Sequence, residues 1–217
     1  EIDFCCNGNR SVEQACHNDD ATIDAVKNDI RLVIESSRNK ENVANDFAFW
    51  PLDLLVNYIE KKHHRYVTKQ IPVLKAYLDK LCKVHGEKHP ELLEIHSLFS
   101  RCATELGSHM KKEEQVLFPF IMKMVTVKEE NAGRFSAPFG SVQNPISMMM
   151  QEHDTEGQRF RKIKELSANY MQPPDACNTY RVAYSLLQEF EDDLHLHIHL
   201  ENNILFPRSV EMEATLA

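Results

Sequence analysis

The chain has 217 residues, 42% of them hydrophobic and 27% charged, with a formal net charge of −8, which gives enough apolar mass for a packed core and enough length for one or two domains. An acidic balance of this size opposes binding to a phosphate backbone, so nucleic acid is not expected as a partner. No apolar run approaches the roughly 20 residues of a membrane helix, and no secretory segment opens the chain, so no membrane association is expected. Its six cysteines, at positions 5, 6, 16, 82, 102 and 177, have no regular spacing and fit a reducing, cytoplasmic setting. The chain starts at Glu1 rather than methionine, and a preceding segment is expected.

Ser11 and Gln14 have capping-box spacing, and a second short helix is expected from about Thr22, with Ile23, Val26, Ile30, Val33 and Ile34 along one side. The polar stretch at 38–48 reads as a linker, so a small helical domain over 1–45 is expected before a larger one over 46–217. Pro51 opens the first long helix, expected over 51–83, with Leu55, Ile59, Val67, Leu74 and Leu78 as its stripe and Pro72 as a bend. Pro90 opens the second, where Phe99, Cys102, Leu106, His109, Glu113, Val116 and Phe120 recur at steps of three and four. After a loop over about 128–144, a third helix from Pro145 aligns Ile146, Met149, Met150, His153, Gly157, Phe160 and Ile163. A fourth, capped by Asp175, aligns Leu187, Phe190, Leu194, His197, Glu201 and Leu205. Four long helices with short connections and no period-two segment predict an all-α, up-down four-helix bundle.

The 11 histidines are partly organised. The second long helix carries HMKKEEQVLFP at 109–119 and the fourth carries HIHLENNILFP at 197–207, the same residues in the same register. His64 precedes His109 by 45 residues and His153 precedes His197 by 44, so the bundle reads as two duplicated hairpins, each with one histidine followed by a His-x-x-x-Glu pair. Residues four apart lie on one helix face, about 6 Å apart along the axis, so imidazole and carboxylate can reach one ion or neighbouring ions. Burying such groups on an apolar stripe is costly unless cations compensate. One tetrahedral zinc would leave two of these six ligands idle, whereas two irons can take two histidines each and share both carboxylates. The spacing therefore predicts a non-haem di-iron site. Ferritin-like ligation needs two Glu-x-x-His motifs on separate helices, and Glu60–His63 supplies one. On periodicity alone His63 continues the Ile59–Val67 stripe better than His64, while the repeat spacing favours His64. His195 and His199 are expected to project away from the face of His197.

DFCCNG at 3–8, SHMKKEEQVLFP at 108–119, EHDTEG at 152–157 and HIHLENNILFP at 197–207 resemble the hemerythrin-like di-iron proteins, specifically the repair of iron centres (RIC) family, over nearly the whole chain. The resemblance implies iron ligands at His64, His109, His153 and His197, with Glu113 and Glu201 bridging two iron ions that also share an oxo or hydroxo group, and it decides for His64 over His63. It implies recovery of iron–sulfur proteins after nitric oxide or peroxide damage, by iron donation, nitric oxide chemistry or both. Glu105 and Glu152 match family positions suited to an iron path, and Cys5 and Cys6 are candidates for iron transfer or thiol chemistry. Where oxygen-carrying hemerythrins have a further histidine this chain has Gly157, which argues against reversible oxygen carriage, and Asn7 replaces the glycine usual after the cysteine pair. Relatives extend further before that pair, so the amino-terminal domain is expected to be incomplete. The leading expectation is an iron-supplying repair protein acting on damaged or apo iron–sulfur proteins. A nitric oxide reductase or peroxide-consuming enzyme, and a hemerythrin-type oxygen or nitric oxide sensor, are the alternatives. A homodimer is compatible with each.

Overall fold

The computed structural model describes residues 11–37, 47–131 and 139–216, with the side chains of 33–37 excepted. Cys5, Cys6 and most of the expected linker lie outside these residues, as do the side chains of Val33 and Ile34.

Helix α1 (Val12–Ala15) carries the capping box at Ser11 and Gln14. Helix α2 (Asp20–Ser37) begins two residues before Thr22, because the Asp19 carboxylate accepts the Thr22 N–H at 3.0 Å. Its expected stripe is only partly dry: Ile23 is buried and Ile30 is exposed.

Four long helices follow, and three of them contain a wide turn. Helix α3 (52–85) runs as Leu52–Tyr58, a π-helical turn Ile59–His64 and Arg65–His85. Helix α4 (91–129) runs as Glu91–Lys112, a π turn Glu113–Leu117 and Phe118–Glu129. Helix α5 (Gln143–Leu166) is regular. Helix α6 (178–216) runs as Asn178–Leu200, a π turn Glu201–Leu205 and Phe206–Leu216. Helix α3 packs on α4 and α6, and α4 packs on α5, as an up-down bundle requires. Two expected helix starts need correction. Helix α5 starts before Pro145, which sits in its first turn, where a missing N–H costs nothing. Helix α6 is preceded by Cys177 in the cap position, while Asp175 turns its carboxylate to His89 Nε2 at 3.1 Å.

The wide turns have a local cause in two of the three helices. Pro119 and Pro207 lack an N–H and would crowd the carbonyls of Gln115 and Asn203 four residues back. Widening the turn avoids the clash, and the bonds become five-residue ones: Phe118 N–H donates to the Glu113 carbonyl and Phe206 N–H to the Glu201 carbonyl. The extra residue shifts the register. Val116, expected in the stripe, is 47% exposed, and Leu117 and Phe118 are buried instead. In α5, Met149 is buried and the neighbouring Met150, also expected in the stripe, faces out at 42%.

Burial sorts into two apolar clusters. One joins Val67, Leu74, Leu106, Phe160, Phe190 and Leu194 with their neighbours. The other joins Leu55, Ile59, Leu117, Met149, Leu205 and Phe206 with theirs. The histidines and glutamates of the repeat lie where the two clusters meet: His64, Glu113 and His153 fall between them in sequence, while His109, His197 and Glu201 stand beside their edge residues Met110, Ile198 and Leu200. No helix among the described residues is long and apolar enough to cross a membrane.

Phe190 is fully buried against Phe99 and Phe160, with ring centroids 5.3 and 5.7 Å away. Phe190→Ala is expected to destabilise the chain by about 3–5 kcal/mol, measured as a shift in urea unfolding followed by circular dichroism.

Candidate metal centre

The six repeat residues, His64, His109, Glu113, His153, His197 and Glu201, converge in the layer between the two clusters, and each is at most 2% exposed. Their ligand atoms form two cages. His64 and His197 make one with Glu113 and Glu201, and His109 and His153 make the other with the same two carboxylates; within each cage the atoms lie within 4.8 Å of one another. Each glutamate faces both histidines of its own hairpin. Glu113 Oε2 is 3.4 Å from His64 Nε2 and its Oε1 is 3.3 Å from His109 Nε2. Glu201 Oε2 is 3.2 Å from His153 Nε2 and its Oε1 is 3.1 Å from His197 Nε2. Each cage thus draws one histidine from each hairpin and both carboxylates. The duplication becomes an approximate two-fold relation that exchanges the cages.

Other polar groups fix the rings from behind. His64 Nδ1 lies 2.8 Å from Glu114, His109 Nδ1 2.8 Å from Glu152 and His153 Nδ1 2.8 Å from Asn202. Each anchoring residue neighbours another cage residue in sequence, so a single stretch of helix supplies both a ligand candidate and the clamp on a different one. Such contacts set which ring nitrogen carries the proton and leave Nε2 for the cage. The π turns contribute as well. By bringing Phe118 and Phe206 under Glu113 and Glu201 they stack Phe118 on the His64 ring at 5.5 Å and Phe206 on the His153 ring at 6.0 Å. The Leu-Phe-Pro of the repeat is therefore the floor of the site.

The charges are compensated only in part by the protein. Both oxygens of Glu113 and of Glu201, and the Nε2 atoms of His64 and His197, are buried without a hydrogen bond, an arrangement that costs several kcal/mol per ion unless a cation is shared. Burial opposes charge on Glu201, yet His197 and His153 hold it well below the usual carboxylate range. Burial opposes charge on His109 too, but Glu113 and Glu152 outweigh it and raise this imidazole to about 10. His64 is raised for the same reason by Glu113, and burial pushes His197 down. Two carboxylates thus draw protons onto two imidazoles, and cations ligated by nitrogen and carboxylate oxygen supply the same compensation. The donor set fits iron or zinc, and the shared carboxylates fit a pair of ions.

The remaining expected residues lie around the access routes. A cavity of about 260 Å³ runs past Glu105, Lys112, Glu152 and Glu156 to His109 and His153. Glu105 pairs with Arg159 at 2.6 Å, and Glu152, bonded to His109 and then Lys112, is held down to about 2. A second cavity, also about 260 Å³, reaches His64 between Glu60, Thr68 and Glu114. Glu156 is the residue the repeat did not reveal. It is 3% exposed, salt-bridged to Arg159, with its Oε2 unbonded, and burial raises its carboxyl. Its position three residues after His153, on the same helix face, was the available signal. His63 is fully buried beside the cage, while His195 and His199 are half-buried and turned elsewhere, His199 to Asn203 at 2.8 Å.

A helical bundle whose two hairpins meet on shared, buried histidine–carboxylate pairs defines a cation-binding protein of the hemerythrin class. Residues 56–209 match the model of the hemerythrin HHE cation-binding domain. The iron-sulfur cluster repair protein YtfE of Yersinia pseudotuberculosis serotype IB (strain PB1/+) is 35% identical over 213 residues, covering 98% of this chain and 89% of that protein. The proteins of the same name from Yersinia pestis strains Pestoides F and Angola match to the same extent. The chain belongs to the hemerythrin HHE family and, within it, to the repair of iron centres proteins.

At the far end of the bundle the exposed Cys177 thiol lies 3.2 Å from His85 Nε2. The Tyr180 N–H and His85 lower it to about 7, so its thiolate grows in as pH rises through neutrality. Among the described cysteines Cys177 is expected to be alkylated fastest by iodoacetamide, with a rate midpoint near that value that His85→Phe moves upward, read by peptide mass spectrometry across pH.

Proposed function

We propose that this chain is a non-haem di-iron protein that repairs iron–sulfur clusters damaged by oxidative or nitrosative stress, by supplying iron to them. The observation that carries the reading is the pair of cages sharing Glu113 and Glu201, four carboxylate oxygens buried without hydrogen bonds between four imidazoles. In this reading His64 and His197 hold one iron, His109 and His153 the other, and both carboxylates bridge. The relatives' printed name supplies the process, cluster repair, and the open cavities at both cages suit ions that come and go.

Each ion has four protein groups, fewer than iron accepts, so small ligands and exchange partners have coordination positions to use. The carboxylates of Glu105, Glu152 and Glu156 line the route to His109 and His153 and attract a departing cation, while Lys112 and Arg159 keep the route from being purely acidic. The partners are apo or damaged iron–sulfur proteins in the cytoplasm. The small domain over 1–45 would contribute Cys5 and Cys6 as thiols for iron transfer or exchange, and the bundle domain over 46–217 would contribute the irons.

The second reading, reduction of nitric oxide or consumption of peroxide at the same irons, draws on the size of the cavity at His109 and His153, which admits small molecules. The two readings separate on stoichiometry. Donation to an apo ferredoxin-type protein consumes the bound iron, whereas a reductase turns over nitric oxide with a reductant and keeps it.

Anaerobic loading is expected to give two irons per chain, and fewer would overturn the di-iron reading. His109→Ala and Glu201→Ala are expected each to lose iron, on the order of 10- to 100-fold in affinity, and His195→Ala to retain it; metal analysis with Mössbauer spectra reads all three. Equal losses in the three variants would reject the ligand assignment.

A further inference from the structure

Two adjacent histidines of α3 are both buried at the centre of the bundle, and the cages use one of them. His63 is fully buried, and neither of its ring nitrogens has a hydrogen bond. Its ring stacks on His197, with centroids 5.5 Å apart and planes 10° apart, and meets Tyr58 edge-on. His64 approaches the same His197 ring to 5.0 Å from within the cage. Adjacent residues of a regular helix point about 100° apart. Both rings reach His197 because the π turn Ile59–His64 inserts a residue there, its five-residue bond running from Arg65 N–H to the Glu60 carbonyl.

That turn has no proline to enforce it, unlike those at Glu113 and Glu201: the nearest, Pro51 and Pro72, lie eight residues before its start and eight beyond its end. In a regular α-helix Ile59 and Val67, both buried, would be joined through His63 at steps of four. The widened turn joins Ile59 to His64 at a step of five and His64 to Val67 at a step of three. Narrowing the turn, or moving the extra residue along α3, therefore exchanges which histidine faces the carboxylates. Both endpoints are furnished. Asp193 Oδ1 lies 3.1 Å from His63 Nδ1, an acidic group on one edge of the ring, with Nε2 on the other edge. His64 lines the cavity of about 260 Å³ between Glu60 and Glu114, which is room to withdraw into.

We infer that His63 is an alternate ligand for the cation of the His64–His197 cage, exchanged for His64 by movement of the π turn in α3, so that this cation is released more readily than its partner. The inference rests on the di-iron reading above. In the exchange the bond from His64 Nε2 to the cation breaks as one from His63 forms. No electron is transferred, and the cation's oxidation state is unchanged. His64, once withdrawn, lies beside Glu60 and Glu114 at the cavity.

The test uses the full chain loaded anaerobically with ferrous iron, as wild type, His64→Ala, His63→Phe and the double variant, with His63→Gln as a second version wherever circular dichroism shows that phenylalanine disturbs the fold. Two readouts are taken: irons per chain with Mössbauer parameters, and the rate of transfer to a ferrous chelator. The expected result is that His64→Ala keeps two irons, one with altered parameters, that the double variant keeps one, and that His63→Phe slows loss of the faster-released iron about tenfold. One iron in His64→Ala, equal iron in that variant and the double variant, or an unchanged release rate in His63→Phe overturns the inference while leaving the di-iron reading intact. A wild type holding fewer than two irons overturns both.

Discussion

Two carboxylates buried without hydrogen bonds set the terms for the rest of the molecule. Glu113 and Glu201 sit at the midline of a bundle whose neighbouring layers are leucine, phenylalanine and methionine, where an uncompensated charge is too costly to keep. Each is held by geometry, its two oxygens aimed at two imidazoles of its own hairpin. The histidines must come from all four long helices, so the hairpins must interlock before either cage is complete. The anchors Glu114, Glu152 and Asn202, the stacked phenylalanines and the prolines that widen the turns all serve to aim these few atoms.

The sequence made the fold class and the metal constellation legible because duplication wrote the same chemistry twice. One His-x-x-x-Glu pair on a stripe is ambiguous; two, each followed by Leu-Phe-Pro at matching positions, carry a pattern that packing alone does not require. The wide turns were hidden, because periodicity analysis assumes a constant 3.6 residues per turn. That assumption misplaced Val116 and favoured His63 over His64, although both histidines are buried. Each of these positions falls within a π turn, where a single inserted residue rotates everything after it by roughly 100°. Pro119 and Pro207 were the local signals for two of these turns; the turn in α3 has no comparable mark in the sequence. Asp175 failed as a cap for a different reason: His89, remote in sequence, offered its carboxylate a better partner, which local rules do not register. Glu156 was missed because its burial and its cavity are tertiary features; its partner Arg159, three residues further along the same helix, signals neither.

The two-fold relation between the hairpins holds for the ligand candidates and fails for their surroundings. One cage opens past Glu105, Glu152 and Glu156, the other past Glu60 and Glu114. Helix α3 bends its histidine in through a wide turn, whereas its counterpart α5 delivers His153 from a regular helix. Symmetric ligand candidates in asymmetric frames make two positions that are alike in chemistry and different in surroundings, which would let one ion leave while the other holds the bundle together.

The polar layer also interrupts the hydrophobic core. Above and below it the apolar clusters are continuous, but across it contact passes mainly through imidazoles and carboxylates, which repel or attract according to their protons. Folding of the two clusters is then coupled by the helices that run through both and by how fully this layer is compensated. Ions bridging all four helices would weld the clusters into one cooperative unit, and their departure would loosen the seam, so that delivery of the cargo is itself a change in how the protein holds together.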